Sequence, residues 1–171
     1  MLDNKTKEYL HALRDKHKIR ILFVCLGNIC RSPAAEGVMQ SLVDSHDESR
    51  RFFIDSAGTA NYHTGELPDK RMRVHAQRRG YDLTHHARQF KVSDFDDFDL
   101  ILGMDDYNLS TLRSKARDEQ DERKIMAMGK FISPIYHYDH VPDPYYEGSE
   151  GFELVLDLLE DATCNLYKQL S

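Results

Sequence analysis

The chain has 171 residues, of which 40% are hydrophobic and 30% charged, enough for one hydrophobic core and too few for two domains of ordinary size. Its 23 lysine and arginine residues against 29 aspartate and glutamate residues give a formal net charge of −6, which does not favour a general nucleic-acid binder. The longest apolar run, residues 21–26, is far shorter than the roughly 20 residues of a membrane-spanning helix. We therefore expect neither nucleic acid nor membrane as a partner.

The first 18 residues form a charged leader for which we predict a short helix. The leader contains no apolar segment typical of a signal peptide, so we expect a cytoplasmic protein. We interpret residues 1–18 as an N-terminal extension of a single domain that spans residues 19–171. The three cysteines, at positions 25, 30 and 164, are too few and odd in number for a secreted disulfide framework.

Strand and helix signals alternate along the rest of the chain. Residues 19–24 predict a buried strand that ends at Cys25, and the apolar spacing after Pro33 predicts a helix. The remaining segments are, in order, a strand at 51–55, a turn-rich loop at 56–65, a basic helix at 68–79, a strand at 99–104, a helix at 105–116, a solvated helix end or loop at 117–124, a weak strand at 124–127, a loop at 137–148 and a final helix that begins at Ser149.

This alternation predicts an α/β fold of three layers, in which a four-stranded, mostly parallel sheet is flanked by helices. In such folds ligands bind beyond the carboxyl ends of the strands, which is where the segment after the first strand lies. We therefore expect a phosphate-binding loop directly after the first strand.

That segment reads Cys25-Leu26-Gly27-Asn28-Ile29-Cys30-Arg31-Ser32, so an arginine follows the first cysteine by six positions. A loop of this length between a strand and a helix can bring its backbone N–H groups together around an anion, next to the positive end of the helix. The same donors stabilise a thiolate at Cys25, and the planar guanidinium of Arg31 suits two oxygens of a phosphoryl group. Ser32 is a candidate donor to the Cys25 sulfur.

A cysteine followed six positions later by an arginine also occurs by chance, and alone it predicts little. Here the pair follows a buried strand, encloses a Gly-Asn turn and runs into Ser-Pro at a helix start, so we favour catalysis for Cys25 and Arg31. For Cys30 we favour a packing role, although its closeness to Cys25 permits a reversible disulfide.

The run CLGNICRSP, preceded by Val and followed by AAEG, resembles the signature of the low-molecular-weight protein tyrosine phosphatases. Four further segments resemble the same family in the same order: residues 55–58, residues 85–89, residues 99–105 and the DPYY run at 143–146. The resemblance covers the chain from Ile19 to the final helix. It implies a protein-tyrosine phosphatase that forms a cysteinyl-phosphate intermediate and needs no cofactor and no metal.

The resemblance also implies residue roles. Cys25 is the nucleophile, Arg31 the phosphate clamp and Asp143 the general acid and then base. The predicted substrate-binding residues are Leu26, Gly27, Asn28, Ile29, Cys30, Ser32, Tyr62, Tyr145 and Tyr146. Three residues, Ser56, His85 and Asp105, are expected to support the loop through hydrogen bonds. An arginine-phosphatase branch of the family typically has threonine where this chain has Ile29, so we favour phosphotyrosine proteins as the substrates.

Two other functions remain as alternatives. An arsenate-reductase-like thiol enzyme on the same fold needs further cysteines, and no cysteine lies between Arg31 and Cys164. A non-catalytic phosphotyrosine-binding module is expected to lack the nucleophile or the acid.

Residues 68–91 carry seven Lys or Arg and two Asp, a net +5, and are a candidate for steering phosphorylated substrates. We expect a monomer or weak self-association.

Overall fold

A computed structural model describes residues 2–171, so Met1 of the charged leader lies outside the described residues. The strands are β1 (Ile19–Cys25), β2 (Phe52–Gly58), β3 (Leu100–Gly103) and β4 (Ile125–Ala127). The α-helices are α1 (Asn4–Leu13), α2 (Arg31–Ser45), α3 (Lys70–Arg78), α4 (Asp94–Asp97), α5 (Asp106–Lys115), α6 (Glu119–Lys124) and α7 (Ser149–Leu170), and two short 3-10 helices span Met128–Phe131 and Pro134–Tyr136.

The four strands form one sheet in the order β2-β1-β3-β4, and every neighbouring pair is parallel. Side chains of β1 alternate between two apolar clusters. Ile21 and Phe23 belong to the cluster formed with α1, α2, α3 and α7, whereas Leu22 and Val24 belong to the cluster formed with α4 and α5. Burial on both faces explains the continuous apolar run of β1. The predicted three-layer α/β fold is confirmed, and its sheet is wholly parallel.

The strand boundaries differ from the predicted ones at β2. We predicted a turn-rich loop from Ser56, but the strand continues to Gly58 because residues 56–58 pair with Phe23, Val24 and Cys25 of β1. The run at 117–124 contains a short helix, α6. Asp118 caps its N-terminus, because its side chain accepts a hydrogen bond from the Asp121 N–H. The short helix α4 escaped prediction, since four residues carry no helical period.

The charged leader is helical, as predicted, and lies against the rest of the chain. Asp3 caps α1 by accepting a hydrogen bond from the Thr6 N–H, and Leu10 is fully buried in the larger apolar cluster. The Tyr9 hydroxyl donates to the carbonyl of Asp99, just before β3, over 2.5 Å. None of the helices in residues 2–171 has the length and apolar character needed to cross a membrane.

Candidate active site

The predicted phosphate-binding loop connects the last residue of β1, Cys25, to the first residue of α2, Arg31. Asn28 has a left-handed backbone conformation, with a φ of 58°, which turns the loop back towards the helix. Gly58 lies directly behind the loop. A Cβ atom at Gly58 would lie 2.7 Å from the Leu26 carbonyl oxygen and 3.1 Å from the Asn28 nitrogen, so the loop requires glycine there.

The Cys25 sulfur lies within hydrogen-bonding reach of the Ser32 hydroxyl, at 3.0 Å. Ser32 accepts a hydrogen bond from the Asn28 Nδ2 over 2.7 Å, so its own proton is free to point to the sulfur or to the Ala57 carbonyl, 3.3 Å away. A hydroxyl that donates to sulfur stabilises the thiolate form. The geometry thus suits both an attacking and a departing thiolate.

The Asn28 side chain holds the loop from behind and is 1% exposed. Its Oδ1 accepts from the Arg88 N–H over 3.0 Å and from His85 Nε2 over 2.8 Å. Its Nδ2 donates to Ser32 and, over 3.1 Å, to the Ser56 hydroxyl. Two of the predicted supporting residues, Ser56 and His85, therefore contact the loop through Asn28.

Arg31 lies at the start of α2 with its side chain only 3% exposed. Its Nη1 donates to Asp105 Oδ2 over 2.6 Å and to the Val141 carbonyl over 3.0 Å, and its Nη2 lies 3.7 Å from Asp143 Oδ2. Burial alone lowers the pKa of this guanidinium, but the negative charges of Cys25, Asp105 and Asp143 outweigh burial and raise it. Arg31 is thus a fixed positive charge between the loop and the predicted acid.

Asp143 lies on the loop before α7, and its side chain is 43% exposed. Its Oδ1 accepts a hydrogen bond from the Tyr145 N–H over 3.0 Å, which fixes the carboxyl group at the pocket edge. The pocket has a volume of about 290 Å³ and brings the loop, the acid and the aromatic residues together. Its lining residues are Cys25, Leu26, Gly27, Ile29, Cys30, Arg31, Tyr62, His63, Asp143, Tyr145 and Tyr146.

Most predicted site residues line this pocket, whereas Asn28 and Ser32 are buried behind it. Tyr62 and Tyr146 project at the rim, 73% and 93% exposed, and the Tyr145 ring packs edge-on against Tyr146 with centroids 5.0 Å apart. The entrance is therefore an aromatic slot suited to a planar ring.

Cys30 is buried beside the pocket, and burial raises the pKa of its thiol well above the ordinary value. A thiol held in its protonated form is a poor nucleophile. All three cysteines are free. The structure thus distinguishes Cys25, which has a hydroxyl group at its sulfur, from Cys30, whose thiol is buried near the negative charges of Asp69 and Asp143.

Three residues at or beside the site were missed by the sequence analysis. His63 lines the pocket. Arg71 of α3 donates to the Tyr145 carbonyl over 2.9 Å, and its guanidinium lies 5.4 Å from the centre of the Tyr145 ring. Glu36 of α2 accepts a hydrogen bond from the Ser56 hydroxyl over 2.7 Å. The net positive charge of residues 68–91 indicated that this stretch could act on phosphorylated substrates. No sequence pattern, however, predicted the contact between Arg71 and Tyr145. Other arginines of that stretch form ion pairs away from the pocket, as Arg79 does with Glu160 of α7.

Comparison with known proteins shows similarity along most of the chain. The family model for low molecular weight phosphotyrosine protein phosphatases matches residues 20–171. A low molecular weight protein-tyrosine-phosphatase of Streptomyces coelicolor is 40% identical over 148 residues, which cover 86% of this chain and 90% of that protein. A crystal structure of a protein tyrosine phosphatase from Entamoeba histolytica, with Hepes in the active site, has a TM-score of 0.86 and 45% identity and covers 90% of this chain and 97% of that one. A Drosophila arginine phosphatase structure has a TM-score of 0.81 at 29% identity and covers 88% of this chain and 96% of that one. The family predicted from the motifs is confirmed, and the chain belongs to the low molecular weight phosphotyrosine protein phosphatases.

Proposed function

We propose that Cys25, Arg31 and Asp143 carry out the hydrolysis of phosphotyrosine that membership of this family gives the chain. The single observation that supports these roles best is the convergence of the three side chains on one pocket, with the Cys25 sulfur 3.0 Å from the Ser32 hydroxyl and Arg31 Nη2 3.7 Å from Asp143. A nucleophile, a phosphate clamp and a proton donor are the groups that a phosphate monoester requires.

In the first step, the Cys25 thiolate attacks phosphorus and forms the S–P bond while the bond to the phenolic oxygen breaks. Asp143 donates its proton to the departing oxygen. The Nη1 of Arg31 is bound to Asp105 and Val141, so Nε and Nη2 are the donors that we assign to two phosphoryl oxygens. Backbone N–H groups of residues 26–30 complete the cradle, with Leu26, Gly27, Ile29 and Cys30 at the pocket surface.

In the second step, Asp143 takes a proton from water, which attacks phosphorus, and the S–P bond breaks to return Cys25 as a thiolate and to release phosphate. The Ser32 hydroxyl donates to the departing sulfur. Because the serine oxygen accepts from Asn28 Nδ2, the serine keeps its own proton for the sulfur in both steps. Four side chains act by positioning, since they contact the loop or Arg31 rather than the substrate: those of Asn28, Ser56, His85 and Asp105.

The aromatic entrance supports phosphotyrosine-containing proteins and small aryl phosphates as substrates. Tyr62, Tyr145 and Tyr146 line the same pocket as the loop and offer ring contacts to the phenyl group of a substrate whose phosphate binds the loop. Ile29 lines the pocket at the position where the arginine-phosphatase branch typically has threonine. We therefore assign the chain to the tyrosine-specific side of the family.

The two alternatives find less support in the structure. An arsenate-reductase-like cycle needs a thiol that can reach Cys25, but Cys30 is buried with its pKa raised and Cys164 lies on α7. A module that only binds phosphotyrosine has no use for a carboxyl group beside the clamp, where Asp143 lies. Hydrolysis explains both Cys25 and Asp143.

We further propose that the reaction requires neither a metal nor another cofactor, because the three side chains supply nucleophile, charge and proton. The formal charge of −6 supports protein rather than nucleic-acid partners. Three free cysteines support action in the cytoplasm. We also propose that residues 1–18 are an extension of one domain that spans residues 19–171. The protein is proposed to be a monomer or to self-associate weakly.

The test is hydrolysis of p-nitrophenyl phosphate in the presence of a metal chelator by the parent chain, Cys25→Ser and Cys164→Ser. We expect the parent and Cys164→Ser to be equally active and Cys25→Ser to be inactive. A trapped phosphoryl adduct on Cys25, seen by rapid acid quench and mass spectrometry, would establish the intermediate. Undiminished turnover by Cys25→Ser would reject the assignment.

A further inference from the structure

The proposed acid, Asp143, lies on the loop before α7, and hydrogen bonds tie this loop to the rest of the chain on either side of it. Before the acid, the Val141 N–H donates to the Met104 carbonyl over 2.9 Å. After the acid, the Tyr145 carbonyl accepts from Arg71 Nη2, also over 2.9 Å. The place of the carboxyl group therefore depends in part on what holds Arg71.

Arg71 is held by Asp69, the residue that caps the N-terminus of α3. Asp69 Oδ1 accepts from the Arg71 N–H over 2.8 Å and from its Nε over 3.1 Å, and Oδ2 accepts from Nη2 over 2.9 Å. The guanidinium also lies 4.8 Å from the centre of the buried Phe152 ring. Such a fork of charge-assisted hydrogen bonds fixes the orientation of the guanidinium as well as its position.

Asp69 also contacts the phosphate-binding loop. Its N–H donates to the carbonyl of Ile29 over 2.7 Å, and Ile29 lies in the loop that begins at Cys25 and ends at Arg31. The Asp69 side chain is only 12% exposed, and neither Asp69 nor Arg71 lines the pocket. Asp69 thus touches the loop through its backbone and Arg71 through its side chain, both from outside the pocket.

These contacts form a continuous series of hydrogen bonds from the phosphate-binding loop to the acid. The Ile29 carbonyl accepts from Asp69, and the Asp69 carboxylate holds Arg71. Arg71 in turn donates to the carbonyl of Tyr145. The N–H of Tyr145 then donates to Asp143 Oδ1 over 3.0 Å. Every donor–acceptor distance in the series lies between 2.7 and 3.1 Å, the normal range for N–H···O hydrogen bonds.

We propose, on the basis of the acid role assigned to Asp143 above, that Asp69 is a positioning residue that sets the place of this acid relative to the phosphate-binding loop. The loop binds the phosphoryl group and thereby determines where the departing oxygen lies. An acid on a different loop must be held within hydrogen-bond reach of that oxygen, and a misplacement of about 1 Å can cost roughly 100-fold in rate. Asp69 makes this connection, because it bonds to the phosphate-binding loop directly and to the acid's loop through Arg71.

The test is Asp69→Asn in the full chain. Asparagine still caps α3 through its side-chain oxygen and keeps the backbone bond to Ile29. It loses the negative charge and presents an NH₂ group to the guanidinium of Arg71, so the fork is broken. Asp69→Ser is a second variant, which caps the helix with a side chain too short for the fork. Asp118→Asn is the matched control, because Asp118 caps α6 in the same way, by accepting from the Asp121 N–H over 2.9 Å, and does not line the pocket.

The measurement is kcat/KM for a series of substituted phenyl phosphates whose leaving phenols differ in acidity. We expect both Asp69 variants to lower kcat/KM about 10-fold for phenyl phosphate and little for p-nitrophenyl phosphate, so that the dependence on the leaving group becomes steeper. Asp118→Asn should keep the dependence of the parent. A loss of folded protein lowers kcat/KM equally for all substrates and leaves the dependence unchanged. An equal loss on all substrates, or no loss, in both Asp69 variants would overturn the proposal.

Asp143→Ala distinguishes a failure of this proposal from a failure of the proposed acid. If Asp143 is the acid, Asp143→Ala steepens the same dependence, and adding Asp69→Asn should change it no further, because Asp69 acts through Asp143. The parent's dependence in Asp143→Ala would reject the acid and the positioning role together. A steeper dependence in Asp143→Ala beside an unchanged one in Asp69→Asn would reject only the positioning role.

Discussion

The Cys25 sulfur and the Ser32 hydroxyl oxygen lie 3.0 Å apart, although the serine stands seven positions later, in the first turn of α2. Because the serine proton stabilises a departing thiolate, Ser32→Ala should slow hydrolysis of the phosphoryl intermediate. A hydrogen bond to a charged group is worth about 1.5–3 kcal/mol, which corresponds to roughly 10- to 100-fold in that step. Pre-steady-state turnover of p-nitrophenyl phosphate should show a larger burst before a slower steady state. A uniform fall of both phases would contradict the assigned role.

Asp143→Ala should reduce turnover of phenyl phosphate by about 100- to 10,000-fold, because a positioned general acid contributes that much. The loss should be smaller for p-nitrophenyl phosphate, whose leaving group needs less help from a proton. Asp139→Ala is the matched control, since Asp139 is an aspartate on the same loop and its side chain is 98% exposed. Equal losses on the two substrates would exclude Asp143 as the acid.

Arg71→Lys should raise the KM for phosphotyrosyl peptides more than it lowers kcat. The lysine keeps the charge but loses the planar contact with the Tyr145 ring and the hydrogen bond to its carbonyl. These contacts are worth about 1 kcal/mol, or roughly 5-fold in KM. Arg73→Lys is the control, because Arg73 donates to the Pro68 carbonyl on its own segment. If Arg73→Lys and Arg71→Lys changed KM equally, the general charge of residues 68–91 would be responsible instead.

Gly58→Ala should impair the loop although Gly58 does not line the pocket. The added Cβ would meet backbone atoms of Leu26 and Asn28, and backbone cannot rotate away as a side chain does. Overpacking of this kind costs about 1–3 kcal/mol in the free energy of unfolding. Urea unfolding and phosphate-competition assays should both show a loss, whereas Gly148→Ala, at a negative φ of −82° with open space around it, should leave phosphate binding intact. Unchanged phosphate binding in Gly58→Ala would show that the loop can move.

Glu36→Gln should change how stability depends on pH. Burial raises the pKa of Glu36 from 4.5 to about 7, so its contribution is present below pH 4.5 and is lost as the pH rises through 7. Glutamine mimics the protonated acid and does not titrate. Relative to the parent, Glu36→Gln should therefore gain up to about 3 kcal/mol between pH 4.5 and pH 8. Urea unfolding in a chelating buffer measures this difference, and parallel stability curves would contradict it.

The sequence predicted most elements because their signals are local. The apolar run of β1 and the Ser-Pro start of α2 gave the strand, the loop and the helix in order. The end of β2 depends instead on its pairing with β1, and a local sequence pattern does not predict that pairing. Likewise Glu36, Arg71 and Gly58 reach the site through contacts between segments distant in sequence, and their residue types are common on any surface. Their roles required the packed fold.

The loop is held in shape by Asn28 and by the close approach of Gly58, whether or not a substrate is present. Because the loop is already ordered, it loses little conformational entropy when a tetrahedral oxyanion binds. Orthophosphate, the product, carries the same oxygens as the monoester and lacks only the aromatic contacts at the rim. We therefore expect orthophosphate to compete with the monoester for the loop, so that a higher concentration of inorganic phosphate leaves less of the enzyme free for the next phosphotyrosine.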